Sequence, residues 1–209
     1  MEMEIDYLKT WRKAQEEVDS GVHGDKLIDR ISSVIRHIEI LQRPGWDVLM
    51  QLHEETPLDP GVFSSIASQC DNLEEEAVEV LLGEILNRNG EPFWLAFLMR
   101  DKSHLCAQFV DAHLSWEPEK QVNFLLWVGR LVPSYELFVK EKLEEHTLSG
   151  SNLREGFTYC PGLRDFFWEK ILVGPEITRN LTLVWTLLGH YHPMGKEAYD
   201  LLSEQKQAP

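Results

Sequence analysis

Wound as a helix, the segment Val122-Asn123-Phe124-Leu125-Leu126-Trp127-Val128-Gly129 carries apolar side chains at nearly every angle, and so does Leu181–Gly189. A helix that is hydrophobic all round has to be buried by other elements. No apolar run reaches the ~18–20 residues of a membrane span, so these helices read as the centre of a protein core. No convincing strand alternation appears anywhere between them. The expected fold is all-α: about a dozen short helices packed as antiparallel pairs, in a helical-repeat (solenoid-like) stack or an irregular bundle.

Caps and breakers set the boundaries. Helices are expected near 3–19, from Gly24-Asp25 to about 42, and at 45–55 after a break at Pro44-Gly45. Another ends near Gln69, and Asn72 with Glu75 makes a capping-box start for 73–89. Further helices are expected near 92–101, 104–115 (Ser103 as cap), 118–132, 134–147, 152–158, 162–173, 175–189 and 194–206. Pro118 and Pro175 fall where a first-turn proline is welcome. The short links predict one helical domain over 1–209, with a weak boundary near 146–151.

A faint internal echo accompanies this order. Gly129 precedes Pro133 and Gly189 precedes Pro193 by the same four residues, an offset of 60 between the two copies. Each copy leads from an apolar helix into an amphipathic one, as stacked helix pairs do. The offset is nonetheless longer than the 34–47 residues of familiar arrays.

Charge narrows the partners. The 209 residues include 35 acidic and 20 basic ones, a net charge of −15. Nucleic-acid binding rests on basic residues that displace counterions, and no basic cluster longer than Trp11-Arg12-Lys13 occurs, so neither DNA nor RNA is expected. Cys70, Cys106 and Cys160 are far apart and odd in number, which predicts reduced thiols. The acidic opening Met1–Asp6 lacks an export pattern, and the expectation is a cytoplasmic monomer or small homo-oligomer with no membrane contact.

Candidate chemistry is sparse. His104, Cys106, Asp111 and His113 make the best metal-like cluster, but at ~100° per residue at most two of them converge on one helix face, so surface histidines and a packed cysteine are expected. His190 and His192 flank a turn, where they would cap the preceding helix. Glu84 projects onto the apolar arc of Leu73, Ala77, Val80 and Leu81, which predicts a carboxylate at least half buried and paired with Arg88 or with an incoming arginine. Glu119, Asn123 and Arg130 form one narrow polar stripe that must meet water, a partner or buried polar groups. Neither a GxSxG elbow nor a glycine-rich phosphate loop is present. No cofactor or metal is expected.

Two function classes follow. The first is a non-enzymatic protein–protein interaction or scaffold module of helical-repeat type, binding a protein or peptide that is basic by charge complementarity. Its expected contact residues are Glu75, Glu76, Glu79, Trp94 and Trp168, drawn from the acidic run and from aromatic clusters, since aromatics are enriched at binding surfaces. The second is a metal- or cofactor-dependent all-α enzyme, with His and carboxylate ligands converging from different helices. The Glu-x-x-His pairs of di-metal bundles do not occur, which counts against it.

Overall fold

The computed structural model describes residues 2–87, 91–173 and 198–200. Among them lie eleven α-helices, five short 3-10 turns and no strand. The helices are α1 (Glu2–Asp19), α2 (Asp25–His37), α3 (Gln42–Glu55), α4 (Pro60–Gln69), α5 (Glu74–Asn87) and α6 (Phe93–Asp101). They continue with α7 (Cys106–His113), α8 (Pro118–Leu131), α9 (Glu136–Glu144), α10 (Gly150–Tyr159) and α11 (Arg164–Val173). The fold is all-α, as the patterning predicts. Helices expected at 175–189 and 194–206, with Pro175 and Pro193, lie outside the described residues but for 198–200.

After α1 the chain builds one unit five times: a leading helix, one extended residue, a 3-10 turn and a trailing helix. The extended residues are Ile38, Cys70, Lys102, Val132 and Cys160, with φ from −108 to −127 and ψ from 76 to 99. Each donates its N–H to the carbonyl four residues back, at 2.6–2.9 Å. The third residue of each turn (Leu41, Leu73, Leu105, Tyr135, Leu163) donates to that junction residue's carbonyl at 2.9–3.0 Å. At positions 38, 70, 102, 132 and 160 the junctions stand 32, 32, 30 and 28 residues apart, about half the 60-residue offset of the Gly–Pro echo.

Side chains follow the same register. Seven residues past each junction come Gly45, Ala77, Phe109, Val139 and Phe167, all buried. Eleven residues past come Leu49, Leu81, His113, Leu143 and Ile171, buried too. His113 therefore occupies a leucine position.

The chain divides into two compact units, Met1–Ala112 and His113–Pro209. In the first, α1 packs on α2, the leading helices α2, α4 and α6 pack one on the next, and α3 and α5 pack on their own leading helices. In the second, α8 packs on α9 and α10, and α10 on α11. A Cβ at Gly156 of α10 would fall inside the Phe167 ring of α11, so the glycine permits that close approach.

Several boundaries differ from expectation for one physical reason. The run expected from Asp25 to about 42 breaks at Ile38, and Pro44-Gly45 sits in the first turn of α3. A proline is harmless there because the first turn's N–H groups have no intrahelical acceptor. Asn72 and Ser103 cap no helix through their side chains but belong to the 3-10 turns ahead of α5 and α7. Asn72 instead donates through Nδ2 to Gln42 Oε1 at 3.3 Å.

Candidate interaction surface

The leading helices bury the residues three and four before each junction: Val34 and Ile35, Ile66 and Ala67, Leu98 and Met99, Val128 and Gly129, Gly156 and Phe157. Residues two and five before it lie three apart on another face of the helix and keep solvent access. Two before the junction stand Arg36, Ser68, Arg100, Arg130 and Thr158. Five before it stand Ser33, Ser65, Phe97, Trp127 and Glu155. Arginines and aromatics thus recur at matching places.

In the first unit Arg36 donates from Nη1 to Ser65 Oγ at 3.2 Å, linking α2 to α4. Phe93, Trp94 and Phe97 form a half-buried ring cluster with centroids 4.3, 4.8 and 6.3 Å apart. Trp94 lies against Gly61, where a side chain would collide with the indole. Arg100 stands over the Phe97 ring at 4.8 Å and pairs with Asp101 at 2.8 Å. In the second unit Arg130 lies 4.9 Å from the Trp127 ring and 4.6 Å from the Tyr159 ring. Arg130 is exposed, and it makes no ion pair among the described residues. Asn123, half-buried, and Glu119, exposed, complete its stripe.

Charge divides between the two helix types. Leading helices carry seven basic and five acidic residues, whereas trailing helices carry five basic and fourteen acidic ones. Much of the acid at the start of α5 is engaged. Arg43 holds Glu76 at 2.6 Å, and Lys102 holds Asp71 at 2.7 Å and Glu74 at 2.8 Å. His104 also bonds Glu74. The Arg43 guanidinium lowers the Glu76 pKa, and the Lys102 ammonium lowers that of Asp71. Burial pushes the Glu74 carboxyl up, but the bonds from Lys102 and His104 outweigh it and leave its pKa below the usual value. These pairs join successive helix pairs to one another.

The expected contact residues therefore have different surroundings. Glu75 and Glu79 are exposed, and Glu76 is bound to Arg43. Trp94 is half-buried on a leading helix. Trp168 is buried on α11 against Phe157, 5.5 Å between ring centroids, because it takes the core position that Trp46 takes eight residues past the first junction. Of the six described tryptophans, only Trp94 and Trp127 keep substantial exposure, and both lie on leading helices.

Glu84 is buried, as the helix projection predicts, and it meets a partner the sequence does not announce. His53 of α3 lies 3.2 Å away, Nε2 to Oε1. The Leu58 N–H donates to His53 Nδ1 at 3.1 Å. That nitrogen is therefore the acceptor of the neutral ring, so Nε2 carries the proton and donates it to Glu84. Phe63 packs edge-on against the imidazole at 5.0 Å. Arg88, the other expected partner, lies outside the described residues.

The metal-like cluster disperses. His104 and Asp111 are exposed, while Cys106 and His113 are buried, His113 against Phe124 at 5.3 Å. Burial of His113 departs from the expected surface histidine. No group of three or more potential metal ligands forms among the described residues, and His190 and His192 fall outside them. The three cysteines are free and buried. Burial pushes the Cys160 thiol up to about 12, and its Sγ–H donates to Leu126 O at 3.3 Å. No helix among the described residues is long and apolar enough to cross a membrane.

Comparison with protein-family models, with curated proteins and with solved structures finds no match. Sequence reasoning singled out the Arg130 stripe but missed Tyr159 and His53. Both reach their partners from another helix, so no local spacing announces them.

Proposed function

We propose that this chain is a non-enzymatic helical-repeat module that binds another protein through the exposed face of its leading helices. The observation that carries the reading is the recurrence of one junction five times, with arginines at three and aromatics at two of the matching solvent-accessible places on the leading helices. Within each unit, stacked helix pairs present a surface made of several helices, which suits a polypeptide ligand. Aromatics and arginine dominate binding energy at protein interfaces. Acidic trailing helices fit a second role, solubility and rejection of acidic competitors from that side. Buried free thiols favour work in a reducing compartment such as the cytoplasm.

The test is cross-linked affinity capture from the native host, with the purified chain also screened for turnover of small molecules. A partner whose cross-links fall on α4, α6, α8 or α10 supports the reading. Turnover without any partner would refute it.

A further inference from the structure

We infer that Arg130 of the second unit anchors a carboxylate from an acidic, extended segment of the partner. This rests on the protein-binding reading and names the partner's chemistry. Trp127 and Tyr159 lie 4.9 and 4.6 Å from the guanidinium, and the exposed side chain keeps its N–H donors free of any described acceptor. Those donors form a planar fork that fits a carboxylate bidentately. The rings also restrict the side chain in advance, which lowers the ordering cost on binding.

No described carboxylate takes that fork, although the chain holds 35 acidic residues. Elsewhere on the leading helices, Arg30 bonds Glu17 and Arg100 bonds Asp101. The local charge also selects the ligand. A basic segment would be drawn to the trailing helices, where acids outnumber bases fourteen to five. A phosphate dianion is better served by a cluster of arginines. Arg130 instead shares its neighbourhood with two acids, Glu155 and Glu136, since all three act on the Cys160 thiol. A single guanidinium among acids suits a monoanionic carboxylate better than a dianion.

Fluorescence anisotropy tests this on the full chain with two short fluorescein-labelled Gly-Ser peptides, one spaced with glutamates and one with lysines. Arg130→Gln removes the charge, Tyr159→Ala opens the clamp, and Glu141→Gln, exposed on α9, serves as control. The glutamate peptide should bind, weaken with added salt, and lose about tenfold in affinity in Arg130→Gln. Tyr159→Ala should weaken it less, and Glu141→Gln should leave it unchanged. Circular dichroism melts matching the parent chain confirm that each variant folds. Equal binding of the lysine peptide, or glutamate binding indifferent to Arg130→Gln, would overturn the anchor. Capture from the native host separates the two readings. A partner held equally by the parent and Arg130→Gln keeps the binding module and refutes the anchor, whereas no partner with either protein refutes both.

Discussion

His53 is bonded at both ring nitrogens, one accepting from the Leu58 backbone and the other facing Glu84, and so it ties α3, the following loop and α5 together. Removing Glu84 takes the acceptor away from the buried His53 Nε2–H, which costs about 1–3 kcal/mol. Glu84→Ala should therefore lower stability by that amount in urea melts, and Glu84→Gln, which keeps an acceptor oxygen, by clearly less. Cys160 offers a second check at this scale. Its buried thiol, raised to about 12, is protonated at neutral pH. Since the thiolate is the reactive form, native protein should resist iodoacetamide at this site and denatured protein should not, as read by mass spectrometry. Burial of Glu84 was legible from helix projection because projection needs only local spacing. Its partner was not, because His53 arrives from a helix 31 residues earlier, and only tertiary packing decides which helix that is.

At the scale of the element, the 3-10 turn explains both what was legible and what was not. Apolar spacing located nearly every helix, because a buried face leaves a 3.6-residue period. The turns kept that period almost intact over three residues, so leading and trailing helices merged or slipped by a few positions at Ile38, Asn72 and Ser103. Leu73, Leu105 and Leu163 fill the same buried place at the end of their turns. Truncating each to alanine should cost on the order of 2–5 kcal/mol, and the three losses should be similar if the units are equivalent. Gly156→Ala is expected to destabilise by ~1–3 kcal/mol, since its methyl would overlap the Phe167 ring. Thermal and urea melts of the four variants check both points.

For the whole molecule, charge organisation is the feature that composition alone leaves out. A net charge of −15 pointed to a basic partner, yet Asp71, Glu74 and Glu76 are tied to Lys102, His104 and Arg43 between helix pairs. Composition sums charges without saying which are already paired. These carboxyls have folded pKa values below the ordinary 3.8 and 4.5. A depressed folded pKa adds stability that is fully present above the ordinary value and lost as pH falls through the folded one. The melting temperature should accordingly change little from neutral pH down to ~4.5 and fall below that, less steeply for Glu76→Gln. The central claim is that the leading helices, not the acidic trailing ones, form the binding face. Hydrogen–deuterium exchange of the captured complex against the free chain tests it most directly. The account predicts new protection in α4, α6, α8 and α10, with α3, α5 and α9 unchanged. Protection confined to α3, α5 and α9 would contradict it.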